Sequence, residues 1–122
     1  MFTIALDPAR ALLRIDLAGY WDAPTMDRFE ADMPAALARL RDLAGSTSCL
    51  IDASDFPVQG RDIADRHARL LAGLEGAMAD HVAVVVPGAL VRSQARRIAD
   101  TPRRFFSDTR AAMDWLTAAR AA

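Results

Sequence analysis

The run Val82-Ala83-Val84-Val85-Val86 constrains this chain more than any other stretch. It is continuous, apolar and β-branched, with neither the polar alternation of a half-exposed strand nor the length of a helix. Such a strand has to be covered on both faces, which places it inside a largely parallel sheet clothed by helices. Pro87-Gly88 stops it.

The remaining elements fit around that strand. Phe2, Ile4 and Leu6 alternate with Thr3 and Ala5, predicting a first strand, and Asp7-Pro8-Ala9-Arg10 reads as a tight turn. Leu12 to Leu17 predicts a second strand, antiparallel to the first and ended by Gly19. From Asp22 to about Ala44 the period changes. Met26, Phe29, Met33, Leu37, Leu40 and Leu43 line one face of a long helix, capped by Asp22 and kinked at Pro34. A third strand is expected over Cys49 to Ala53. A helix follows from Asp62 to Met78 with Ile63, Leu70, Leu71, Leu74 and Met78 inward. After the valine strand come a helix over about Leu90 to Ala99, a short strand over Arg104 to Phe106, and a last helix over Thr109 to Ala121 that buries Ala112, Trp115 and Leu116. The order β-β-α-β-α-β-α-β-α predicts a single α/β domain spanning residues 1–122. Its open mixed sheet has about five strands and is parallel except at its first.

Bulk properties exclude several classes. At 122 residues, with 52% hydrophobic and 25% charged residues, the chain can bury a core without staples. A net charge of −1 argues against a dedicated nucleic-acid binder, and every basic residue is Arg. The single cysteine, Cys49, sits in an apolar run and reads as a buried thiol. No stretch approaches the ~20 apolar residues of a transmembrane helix. The opening MFTIALDPAR lacks the features of a signal peptide, so the expected location is cytoplasmic.

Function is expected where the third strand runs into a loop and a helix, between Ser48 and Arg61. Asp52, Ser54 and Asp55 cluster at the strand end. They read either as loop caps or as a grip on a cation, an arginine or a polar head group. Two carboxylates and a hydroxyl fall short of a metal site, and no metal or cofactor is expected. Phe56-Pro57-Val58 are three apolar residues in a loop. They either fold back as a lid on the core or belong to a contact patch that Trp21 could share. Gly60 precedes the helix, and Asp62 reads as its cap. Arg92 and Arg96 share a helix face within an arginine-rich stretch that includes Arg97, Arg103 and Arg104. That face is either solvated or an anion site. His67 and His81 are isolated, with no second ligand at metal spacing.

The element order, the Asp52-Ala53-Ser54 strand end and the closing Ala112-Met113-Asp114-Trp115-Leu116 resemble the STAS-like superfamily, and most of all its bacterial SpoIIAA-like branch, which is related to the CRAL-TRIO fold. The resemblance implies a small regulatory or ligand-binding domain with no catalytic residues. Anti-sigma-factor antagonists of that superfamily switch partners by phosphorylation of a serine at the start of the helix after the third strand. The matching stretch here, Gln59-Gly60-Arg61-Asp62, carries no hydroxyl, so the resemblance does not extend to that switch. CRAL-TRIO relatives imply apolar ligands held against the sheet. The resulting expectation is a non-enzymatic domain that binds a protein partner or a small amphiphilic, lipid-like ligand through Asp52, Ser54, Asp55, Phe56, Val58, Gly60, Arg92 and Arg96. Two alternatives stand beside it: a small hydrolase-like enzyme using Asp52 and Ser54, and a self-associating domain, for instance a homodimer.

Overall fold

A hairpin opens the chain, and a ladder of parallel strands is laid against it. The computed structural model describes residues 1–77, 80–87 and 103–121, with side chains outside residues 74–77 and 121. The helix expected over Leu90 to Ala99, with Arg92 and Arg96, lies outside the described residues, as do the side chains of Leu74 and Met78.

Strands β1 (Phe2–Asp7) and β2 (Leu12–Ala18) pair antiparallel from Phe2 opposite Leu17 to Asp7 opposite Leu12. The turn between them is a 3-10 turn over Pro8–Arg10, with the Asp7 carboxylate accepting the Arg10 N–H at 3.3 Å. Helix α1 spans Ala23–Ala44. It starts as the sequence predicts, because the Asp22 carboxylate accepts both the backbone N–H and the hydroxyl of Thr25, at 2.9 and 2.6 Å. It continues through Pro34 and ends where Gly45 adopts φ 78, a left-handed cap that a side chain would strain. Next come β3 (Ser48–Asp55), α2 (Arg61–Ala77), β4 (His81–Val85), β5 (Arg103–Phe106) and α3 (Thr109–Ala121). The five strands lie in the order β1-β2-β3-β4-β5, with β2 through β5 mutually parallel. The result is an α/β fold with a five-stranded mixed sheet.

The strand pleat sorts the core into two layers. Leu13, Ile15, Leu17, Cys49, Ile51, Val82 and Val84 face α1 and α2, where Met26, Phe29, Met33, Leu37, Leu40 and Ile63 meet them. Leu12, Leu50, Ala83 and Val85 face α3 through Ala112 and Leu116. The valine strand is therefore buried on both faces, between β3 and β5. Three sequence expectations need correction. Leu43 is 58% exposed, and Leu40 and Ala44 on either side of it make the contact with the core instead. Trp21, offered as part of a surface patch, is only 6% exposed and belongs to the core. Trp115 is half-buried at the flank of α3, between Phe106, His81 and the Arg104 guanidinium.

Candidate functional site

The pleat of β3 decides how the strand-end residues are used. Ile51 faces α1 and α2, so Asp52 and Ser54 alternate onto the opposite, α3-side face. There the Asp52 carboxylate accepts the backbone N–H and the hydroxyl of Ser54, at 3.0 and 2.7 Å. Arg14 stands 3.9 Å from Asp52 and 3.5 Å from Asp16. These groups satisfy one another as a loop cap does. The Asp55 side chain is exposed, while its carbonyl accepts the Gly19 N–H at 3.2 Å. Gly60 lies in open space ahead of α2. Asp62 sits inside the first turn of α2, which begins at Arg61, so it is not the cap residue the sequence implied.

Phe56 and Val58 part company. Phe56 folds back on the α1–α2 face, with its ring 5.3 Å from Trp21 and 5.1 Å from His67, centroid to centroid. Val58 is 88% exposed, and Tyr20 in the neighbouring loop is 79% exposed. The loop itself is held by a residue that sequence reasoning passed over. The Gln59 carboxamide accepts the Trp21 N–H at 2.8 Å and donates to the carbonyls of Gly19 and Pro57, at 3.0 and 2.8 Å. One side chain thus ties the β3–α2 loop to the β2–α1 loop. Gln59→Ala strands the half-buried Trp21 N–H, so a loss of about 1–2 kcal/mol is expected. The denaturant midpoint should fall by that amount and the Trp21 amide should exchange faster. An unchanged Trp21 exchange rate would mean that the loops stay joined without Gln59.

Behind Phe56 lies a cavity of about 360 Å³ between α1, α2 and the sheet. Ile51, Ala53 and Val84 form its floor, Phe29 and Met33 one wall, Leu70 and Leu71 another, and Phe105 and Arg103 line it from β5. His67 projects into it from α2, held in a nest of rings with centroids 4.7 Å from Trp21 and 5.3 Å from Phe29. Burial pushes the His67 pKa down to about 4; nearby Glu30 pulls it up and Arg66 pushes it further down. The imidazole is therefore neutral at physiological pH. Arg66, the residue before it, clamps α2 to α1 by donating to Glu30 at 2.7 Å and to Asp27. That hydrogen bond holds the Glu30 carboxyl below its usual range. Cys49 lies beneath, its thiol pushed up to about 12 by burial and hence unreactive.

No protein-family model matches the chain, and no curated protein matches it in sequence. Solved structures do. An uncharacterized protein of the DUF3478 family from Shewanella loihica PV-4, described as having a SpoIIAA-like fold, aligns with a TM-score of 0.69 at 23% identity, over 94% of this chain and 93% of that one. The anti-sigma factor antagonist SpoIIAA in its unphosphorylated form aligns with a TM-score of 0.60 at 14% identity, over 100% of both chains. The fold is SpoIIAA-like.

On this SpoIIAA-like frame, the described residues assemble no hydrolytic triad. Asp52 and Ser54 face α3, His67 lies on the opposite side of the sheet, and His81 pairs with Ser48 at the far end of the strands. No group of three His, Cys, Asp or Glu among the described residues is placed to hold a metal ion. Nor, among them, is any helix long and apolar enough to cross a membrane.

Proposed function

We propose that this SpoIIAA-like domain is a non-catalytic, cytoplasmic binding module that holds a small amphiphilic ligand in the cavity behind Phe56. One observation carries the reading: the cavity's volume of about 360 Å³ falls within the ~300–1,000 Å³ of small-molecule sites, and among the described residues its walls are apolar apart from His67 and Arg103. The support therefore comes from the layer beneath the strand-end loop. Of the residues singled out from sequence, Phe56, His67 and Arg103 line this cavity. An enzyme acting through Asp52 and Ser54 gains no support, because both are engaged with each other. A second reading has its own observation. Tyr20 and Val58 stand exposed on the two loops that Gln59 joins, the kind of fixed apolar surface a protein partner uses. Its fold is shared with an anti-sigma factor antagonist.

A thermal-shift series with straight-chain alcohols and fatty acids tests the first reading. A ligand at a hundred times its dissociation constant stabilises the native state by about 2.7 kcal/mol, a rise of several degrees in Tm. Ala68 is exposed on α2 at the cavity's edge, so Ala68→Phe should block entry while leaving the unliganded Tm nearly unchanged. Loss of the ligand-induced rise in Ala68→Phe supports the cavity. A rise that persists there places the ligand elsewhere. Val58→Asp should leave the rise intact and weaken only association with a protein.

A further inference from the structure

On the opposite face of the sheet, between α3 and the opening residues of β2 and β3, lies a second cavity of about 380 Å³. Leu12, Met113 and Leu116 form its apolar floor, and Arg10, Ser48, Thr117 and Arg120 its polar rim. Ser48 is the telling member. It pairs with Leu12 in the parallel register and precedes Cys49, which faces α1 and α2, so its side chain turns to the α3 face. The residue is 6% exposed, yet its hydroxyl makes no hydrogen bond among the described residues. Its oxygen is not one of the unpartnered atoms sealed from water, so what remains open of it opens onto the cavity. Buried polar groups in native proteins are almost always satisfied by protein, water or ligand.

We propose that this cavity binds a small organic anion, a carboxylate or a phosphate monoester carried on a compact apolar body. The site is independent of the cavity behind Phe56. The head group follows from the polar groups on offer, which are donors. The guanidiniums of Arg10 and Arg120 donate and cannot accept, and the Ser48 hydroxyl has its proton free. The Thr117 hydroxyl is already spent on the Met113 carbonyl, at 2.9 Å. Among the described residues no carboxylate lines the cavity. Asp7 stands 3.6 Å from Arg10, but that pair is exposed, of the kind that contributes little and can be exchanged for a ligand. Arg120 has no ion pair among the described residues. A charged acceptor thus meets donors on every side. An ammonium would face two like charges, and a neutral hydroxyl would leave both uncompensated. The body follows from the floor, where Leu12 and Leu116 are buried and Met113 half-buried, an apolar seat for a ring or a short branched chain.

The test is calorimetric titration with phenyl phosphate, phenylacetate, benzyl alcohol and inorganic phosphate, together with carbon-13 spectra of the methionine methyls. At least one of the two aromatic anions is expected to bind the parent chain tenfold more tightly than either benzyl alcohol or inorganic phosphate, and the tighter of the two names the head group. Ser48→Ala and Arg120→Gln should each weaken it by about tenfold. Ser48→Ala removes no hydrogen bond of the fold, so its unliganded Tm should hold. In the parent chain the bound anion should shift the methyl resonance of Met113 and leave that of Met33, which lines the other cavity, where it was. This readout needs no variant to fold. A bound anion that moves Met33 and not Met113, or an affinity that both variants leave unchanged, overturns the site. Benzyl alcohol binding as tightly as the anions overturns the head group, and inorganic phosphate doing so overturns the apolar body. Failure of both aromatic anions to bind overturns the proposal and leaves the cavity behind Phe56 untouched, since fatty acids and alcohols test that one separately.

Discussion

Trp21→Ala is expected to lower stability by about 3–5 kcal/mol, as large-to-small core substitutions do. Trp21 is the hub of the aromatic cluster. Its ring centroid lies 5.5 Å from Phe2, 5.0 Å from Phe29, 5.3 Å from Phe56 and 4.7 Å from His67, and its indole N–H donates to the Ala18 carbonyl at 3.1 Å. Removing it opens a void between β1, α1, α2 and the Phe56 loop at once, and those four elements cannot all collapse inward together. The hydrogen bond from the Trp21 backbone to Gln59 survives the change, so the loss isolates packing from the loop tie. Trp115→Ala is the comparison. Trp115 touches Phe106 and His81 at the half-open flank of α3, and its removal should cost less. Denaturant titration of the two variants decides it. Equal losses would mean that the α3 layer is as closely built as the α1–α2 layer.

Stability should also fall on mild acidification, because of His67. Its pKa in the folded chain is about 4, against about 6.5 for a histidine in an unfolded one. A depressed histidine leaves the native state intact above pH 6.5. As pH falls from 6.5 toward 4, the unfolded chain takes up a proton that the folded chain refuses, and stability drains away. Burial is the largest cause, and the charges around the ring pull in opposite senses: Glu30 on α1 favours the cation, while Arg66 beside it opposes it. The ring is still partly solvated, so the loss is discounted to the order of 1–2 kcal/mol. The lowered carboxyls of Asp22 and Glu30 add their own losses at more acid pH, which leaves the interval from pH 6.5 to 5 as the histidine's signature. Unfolding titrations at half-unit pH steps should show the slope in the parent chain and a flat line there for His67→Phe. The same slope in both would remove His67 from the account.

What was readable in the sequence was what repeats. The valine strand, the hairpin, the stripe of α1 and the Asp22 cap all rest on near neighbours in the chain, and their observed bounds differ from the expected ones by a residue or two in most cases. Even the choice left open at Phe56, lid or patch, was a choice between two real positions, and the structure gives the lid to Phe56 and the outside to Val58. The hidden features were long-range and aperiodic. Gln59 reaches a backbone 38 residues away, and Arg66 reaches Glu30 across 36. Neither leaves a trace in spacing or composition. The cavity was illegible for a related reason. Leu70 and Leu71 read as core from their period, and so they are, but a helix that stands slightly off its sheet has the same sequence as one that rests upon it. His67 stands isolated in the sequence, and nothing in its spacing announces the aromatic rings from three other segments that enclose it.

The strand order has a consequence for where anything can bind. In many open α/β sheets the order reverses partway, helices depart to opposite sides of the reversal, and a crevice opens at the strand tips between them. Here the order advances in one direction from β1 to β5, and α1 and α2 lie on the same side of the sheet. Among the described residues the strand order makes no fork, and so supplies no crevice of that kind for a ligand to inherit. Room for a guest has to come from the spacing between the helical layer and the sheet, a sideways opening whose size can be adjusted by a few side chains on α2. Relatives sharing this one-way order could therefore differ in their ligands through residues far from the strand-end loop, with the sheet itself unaltered.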